Sequence, residues 1–183
     1  MNKKIRSILD KMVRVNLAGE TGAKNIYSTQ IKHSTDLIEN LESSLSQELR
    51  HLEYFQDMAK KYQIRPTVMS PVWKHGAKLL GFVTAKVGKQ AIDGCTAGVE
   101  EVISKHYSNQ IKDLDKLIKN TSEETLKLNL IELRSKISEF MTDELEHFEA
   151  SVANDQEDSI KFNLSKSISS FVTLFAVKIS EKI

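Results

Sequence analysis

Apolar positions along the chain fall into stripes of helical period. From Ile5 to His33, Val13, Leu17, Tyr27 and Ile31 lie on one face of a 3.6-residue repeat. From Asp36 to Tyr62, Leu37, Leu41, Leu45, Leu52, Phe55 and Ala59 recur at three- and four-residue steps, with Asp36 and Glu39 placed as an N-terminal capping pair. Pro66 and Pro71 then interrupt the pattern in IRPTVMSP. Beyond them the pattern predicts a short amphipathic helix at about Val72–Val83 and a longer one from Lys89 to Asn120. Thr121 with Glu124 has the spacing of a capping box. The helix it would open runs to Ala153 on Leu126, Leu130, Leu133, Ile137, Phe140, Met141 and Phe148. A last helix is expected from Asn163 to Lys182. No segment alternates as a strand does, so the chain reads as all-α, four long helices and two shorter apolar ones.

Six polar residues interrupt the stripes where polarity is costly. Glu20 lies between Leu17 and Tyr27; Glu48 and His51 lie between Leu45 and Leu52; Glu144 and His147 fall between Phe140 and Phe148. Glu100 shares a face with Ile103, Tyr107, Ile111 and Leu114, whereas Glu101 falls with Ser104, Lys105, Ser108 and Lys112, so Glu100 points inward. The order is Glu, Glu-x-x-His, Glu, Glu-x-x-His, one group per helix. An i, i+3 pair puts carboxylate and imidazole side by side, and two such pairs with two further inward Glu make the ligand set of a carboxylate-bridged dinuclear centre. Four buried carboxylates would each cost several kcal/mol without a counter-charge. No Lys or Arg stands on the stripes, whereas two divalent cations would neutralise them. Oxygen and imidazole donors without thiolate suit iron or manganese. His33 and His75 lie off these positions and read as surface histidines. Ala18, Gly19, Gly22 and Ala23 around Glu20 would let backbones approach closely, as ordinary helix packing also would.

Composition narrows the class. The 183 residues, 40 % apolar and 28 % charged, fit one domain, 1–183, with a sizeable core. The lone Cys95 excludes an internal disulfide framework and a thiolate metal cluster. The N-terminus lacks the apolar stretch of a secretory signal, and no run of apolar residues is long enough to span a bilayer. Net charge is only +1, but it is unevenly spread: Lys60–Ile92 carries seven basic residues and no acid, and Ile160–Ile183 carries four Lys against Glu181. Both stretches are also apolar. Segments 72–95 and 163–183 are therefore candidate membrane-surface helices, with solvated lysines beside ordinary core helices as the other reading.

The motifs RVNLAGETGAKNIY (14–27), QELRHLEYF (47–55), RPTVMSPVW (65–73), CTAGVEEVISKHY (95–107) and DELEHFE (143–149) resemble the demethoxyubiquinone hydroxylases of ubiquinone biosynthesis, a ferritin-like di-iron family. They run in family order over nearly the whole chain. The resemblance implies a ferritin-like four-helix bundle with an apolar helical insertion between its second and third helices and an apolar C-terminal helix. It implies two Fe ions per chain, held by Glu20, Glu48, His51, Glu100, Glu144 and His147, the six residues that periodicity selects. His106 and Tyr107 match the family's His-Tyr pair and would lie beside the metal or the substrate, orienting groups or moving protons. The implied activity is a flavin-free, O2-dependent monooxygenase hydroxylating the ring of a polyprenyl benzoquinol. The implied partners are that quinol, O2, a membrane surface, a second copy of the chain and other ubiquinone-biosynthesis proteins, and no nucleic acid. The expected location is the cytoplasmic face of a bacterial inner membrane, or the matrix face of the mitochondrial one. The chain departs from the family at Asn16 and Leu17, where Asp-His is usual, and at Phe148, where the last histidine is usually doubled. Two other readings keep part of the pattern: another ferritin-like di-metal protein of the rubrerythrin or manganese-catalase kind, and a non-enzymatic helical module on a membrane.

Overall fold

The computed structural model describes residues 3–34, 39–153 and 159–183. Within them the chain forms six helices: α1 Lys3–His33, α2 Glu39–Lys61, α3 Ser70–Val87, α4 Lys89–Lys119, α5 Glu124–Val152 and α6 Ile160–Ser180. No strand occurs among the described residues. The fold is an all-α, ferritin-like bundle. The hairpins α1–α2 and α4–α5 face each other, α1 beside α4 and α2 beside α5, while α3 lies on α1 and α6 lies along α4. Val13, Phe55, Leu114, Leu130 and Ile137 fill the core between the four long helices and are essentially inaccessible to solvent.

Several helix ends differ from the sequence expectation, each for a local reason. The inserted helix begins two residues earlier than its pattern, because Pro71 occupies the first turn, where a missing N–H costs nothing. It also extends to Val87, and Gly88, at φ 108°, turns the chain directly into α4. The Thr121–Glu124 capping box does not form. Thr121 instead donates its hydroxyl to the Leu117 carbonyl at 2.7 Å, closing α4, and Glu123 occupies the N-cap of α5. The last helix starts at Ile160, because Ser159 caps it by accepting from the Phe162 amide. Asp36 lies outside the described residues, and with it the Asp36–Glu39 capping pair.

Close approach of helices occurs away from Glu20. A side chain at Gly94 or Gly98 would run into the backbone of α6 at Phe162 and Lys166. Those glycines let Ser165 donate to the Ala91 carbonyl at 2.6 Å and Ser170 to the Gly98 carbonyl at 3.0 Å. Ala18, Gly19, Gly22 and Ala23 do the reverse of what their size suggests, for they leave space. With Val99 and Ile103 of α4, Trp73 and Ala77 of α3 and Val172 and Val177 of α6, they line an almost wholly apolar cavity of about 150 Å³. A Cβ at Gly22 would meet nothing within 4 Å.

α3 and α6 turn apolar side chains outward. Val72, Leu79, Phe82, Val83 and Val87 on α3, and Leu164, Ile168, Phe171, Leu174 and Phe175 on α6, are all exposed, Leu79 at 64 % and Phe171 at 71 %. Of segment 72–95, the part through Val87 is this outward helix, whereas Ala91–Cys95 are buried at the start of α4. His75 is exposed, as the sequence suggests. His33 is half-buried, edge-on to Phe82 with ring centroids 5.1 Å apart. No helix among the described residues is long and apolar enough to cross a membrane.

Candidate metal centre

Four helices bring Glu20, Glu48, His51, Glu100, Glu144 and His147 into one cluster at the middle of the bundle. The four carboxylates are 1–2 % exposed, His51 is fully buried and His147 nearly so. Ligand-capable atoms fall into two overlapping groups whose members lie within 4.8 Å of one another. One is Glu20, Glu48, His51 and Glu144; the other is Glu48, Glu100, Glu144 and His147. Glu48 and Glu144 belong to both, as bridging carboxylates must, and each histidine belongs to one. His51 Nδ1 stands 3.2 Å from Glu144 and 3.6 Å from Glu20; His147 Nδ1 stands 3.3 Å from Glu144 and 3.6 Å from Glu48. Glu101 points away and pairs with Lys105 at 2.6 Å and Lys166 at 3.2 Å.

The donor atoms themselves fit a cation. Both oxygens of Glu48, Oε2 of Glu144 and Nδ1 of both histidines are buried and make no hydrogen bond. Such orphaned groups are rare in folded proteins and call for a ligand. Electrostatics points the same way. Burial, followed by mutual repulsion, raises Glu48 well above the usual carboxylate range, with Glu144 its nearest repelling neighbour, and Glu100 likewise. Glu144 is raised as well, by burial first. Burial would lower His51, but the facing carboxylates of Glu144 and Glu20 lift it to about 10. Without a metal the cluster therefore holds protons, which divalent ions would displace.

The surrounding side chains repeat the twofold plan of the ligands. Tyr27 donates to Glu100 and Tyr107 to Glu20, so each hairpin sends a phenol across to the other hairpin's carboxylate. Burial, reinforced by those carboxylates, raises both phenols well above their ordinary value and keeps them protonated donors. The outer nitrogen of His51 lies 3.0 Å from Asp143 Oδ2, and that of His147 lies 2.5 Å from Gln47 Oε1. Phe55 and Phe140 wall the cluster, Phe140 at 4.1 Å from the His51 ring centroid.

Tyr107 thus meets the cluster, whereas His106 does not. Its Nε2 lies 2.7 Å from Gln110 Nε2, and Gln110 exchanges two hydrogen bonds with Asn16, at 2.9 and 2.7 Å. Burial lowers the His106 pKa, so the ring is a neutral acceptor toward Gln110. Asn16 and Leu17 therefore sit in a neutral network and in the core, and Phe148 lies beneath the Lys166 ammonium at 5.2 Å. Sequence reasoning missed Tyr27, Gln47 and Asp143. The repeat itself could have found them: Tyr27 follows Glu20 by seven residues as Tyr107 follows Glu100, and Gln47 and Asp143 each precede a Glu-x-x-His.

Such a bundle, with a buried centre of four carboxylates and two imidazoles able to hold metal, defines a ferritin-like carboxylate protein. The chain belongs to the COQ7 family of ubiquinone biosynthesis proteins, whose family model matches residues 7–180. It is 33 % identical over 97 % of its length, and 79 % of the relative's, to the human mitochondrial NADPH-dependent 3-demethoxyubiquinone 3-hydroxylase. It is 32 % identical to the 5-demethoxyubiquinone hydroxylase of Saccharomyces cerevisiae mitochondria, over 86 % of this chain and 71 % of that one. It is 29 % identical to the 3-demethoxyubiquinol 3-hydroxylase of Rhodospirillum rubrum, over 97 % and 79 %.

Proposed function

We propose that the protein hydroxylates the ring of a demethoxyubiquinol with O2, using two iron ions held by Glu20, Glu48, His51, Glu100, Glu144 and His147. The reading is supported by that cluster together with an apolar cavity lined by residues that neighbour Glu20 and Glu100 in sequence. Gly19 and Ala23 line the cavity on either side of Glu20 in sequence, and Val99 does so beside Glu100. Its other walls, Val72 and Val172, belong to the outward faces of α3 and α6. An aromatic head with an isoprenoid tail matches this: the tail along apolar walls, the ring toward the carboxylates.

Bound and reduced, the iron pair would supply the activation of O2. The chain's own residues do the rest. Glu48 and Glu144 stand where they can bridge, Glu20 and Glu100 where each can serve one ion, and the two Nδ1 atoms complete the set. Tyr107 holds a proton at its hydroxyl against Glu20, and Tyr27 holds one against Glu100. Phe55 and Phe140 exclude water, which keeps reactive species from side reactions. His106, outside the cluster, bonds within α4 to Gln110, and Gln110 ties α4 to α1 through Asn16.

The membrane reading rests on α3 and α6. Their exposed apolar faces flank the cavity, and Lys74, Lys78 and Lys86 on α3 and Lys161 and Lys178 on α6 are exposed beside them. That pairing of apolar area and unopposed positive charge suits an anionic bilayer surface, where the substrate resides. The human and yeast relatives are named mitochondrial, which supports a mitochondrial location, and the Rhodospirillum rubrum relative supports a bacterial one.

Cells lacking the gene should accumulate the demethoxy quinone and lose ubiquinone, as read by mass spectrometry of lipid extracts. Wild-type protein should restore it and Glu144→Ala should not. Normal ubiquinone in the deletion strain, with no parallel enzyme present, would overturn the assignment.

A further inference from the structure

The internal symmetry of the centre is kept by its ligands and phenols and broken at one pair. Glu20 corresponds to Glu100, Tyr27 to Tyr107, and Glu48-x-x-His51 to Glu144-x-x-His147. Gln47 and Asp143, the residues before each Glu-x-x-His, correspond as well, and each reaches the histidine of the opposite hairpin. Both histidines turn Nδ1 to the carboxylates, so when Nδ1 donates its lone pair to a metal the proton must reside on Nε2. His147 gives that hydrogen bond to a neutral amide. His51 gives it to a carboxylate, itself anchored by Arg50, whose Nη2 stands 3.1 Å from the same Asp143 oxygen. An imidazole donating to a carboxylate is a stronger electron donor, and such outer partners change metal affinity by roughly ten- to a hundredfold.

We propose that the two metal positions are unequal: the one served by Glu20, Glu48, His51 and Glu144 binds its ion first and more tightly, and Asp143 is the positioning residue that makes it so. This rests on the dinuclear reading above. Arg50 is about half exposed, so water screens its charge, and Asp143 keeps much of its effect on the buried ring. The consequence is a stable half-loaded form at low metal supply, with the His147 position the one that empties on dilution.

The test is titration of the chelator-treated, full-length protein with Mn2+, followed by calorimetry and by electron paramagnetic resonance. Wild type should bind in two steps separated at least about tenfold in affinity, with the spectrum of an isolated Mn2+ up to one equivalent and of a coupled pair beyond it. In Asp143→Asn the tighter step should weaken roughly ten- to a hundredfold, and coupled pairs should appear before one equivalent. Asp143→Glu should restore the separation. Gln47→Glu, which leaves Asp143 untouched, should tighten the weaker step and close the gap from the other side. It carries the test if Asp143→Asn fails to fold. Two wild-type steps of equal affinity, or a gap that survives both Asp143→Asn and Gln47→Glu, would overturn the inference alone. No Mn2+ binding at all would overturn the dinuclear reading with it.

Discussion

Stripping the metal should invert the protein's response to pH. In the metal-free fold His51 titrates near 10, whereas an unfolded histidine titrates near 6.5. Glu48, Glu100 and Glu144 are also raised above their unfolded value. Between pH 6.5 and 8.5 the folded metal-free protein therefore binds more protons than the unfolded chain, and stability falls as pH rises. The His51 contribution is fully present below 6.5 and is lost as pH climbs through about 10. Each extra bound proton is worth about 1.4 kcal/mol per pH unit, so one proton held across these two units costs roughly 3 kcal/mol. For a chain of this size that corresponds to roughly 6–12 °C in Tm. His147 and His106, lowered by burial, oppose the trend at the acid end of this window, where the unfolded histidine is still partly protonated, and fade above about pH 7.5. The assay is thermal unfolding of chelator-treated and Mn2+-loaded protein at pH 6.5, 7.5 and 8.5. The loaded protein should show the opposite slope, because metal binding releases those protons. A metal-free Tm that is flat or rises with pH would refute the claim that the cluster holds protons in place of metal.

Three further outcomes are expected. Glu100→Ala should abolish dinuclear Mn2+ binding while Glu101→Ala leaves it nearly intact, since Glu101 pairs with Lys105 and Lys166 outside the cluster; equal loss in both would mean that the two side chains are not divided as described. Charge reversal of Lys74, Lys78 and Lys86 to Glu should weaken sedimentation with anionic vesicles at least about a hundredfold, at about 1 kcal/mol per lysine, and unchanged binding would remove the electrostatic half of the membrane reading. Gly98→Val should lower stability by about 2–3 kcal/mol as it pushes α6 off α4, whereas Gly22→Ala, facing open space, should be neutral or gain up to about 1 kcal/mol; both are checked by chemical denaturation.

The bundle and its six converging residues were legible because each helix carries one stripe, and a charged residue on a stripe has nowhere to go but inward. Glu100 could be told from its neighbour Glu101 on that ground alone. Asp143 and Gln47 escaped because they sit at the edge of the stripe, where a polar residue looks solvated; only the pairing of hairpins aims them at a histidine. Pro71 read as a break, though a proline in a first turn opens a helix. Thr121 had the spacing of a cap, but its hydroxyl found the carbonyl of the helix behind it. The small residues around Glu20 suggested contact, and the structure made them a void. Size alone does not say which, because that depends on how far the facing helix, α3, stands off.

Neither metal position is complete within one hairpin. Each takes a histidine and a terminal carboxylate from one half of the chain and a bridging carboxylate from the other, joining residues nearly a hundred positions apart. An ion seated there is a cross-link, and closing so long a loop removes freedom from the unfolded chain much as a covalent bridge would. Removing it leaves the two hairpins joined by the shared apolar core and the Asn16–Gln110 pair, around a buried cluster that must take up protons. Resistance to proteolysis should then follow the supply of metal, since a protease acts on the opened form and the ion suppresses opening by mass action. The number of surviving molecules would thus report how much metal the cell had to give.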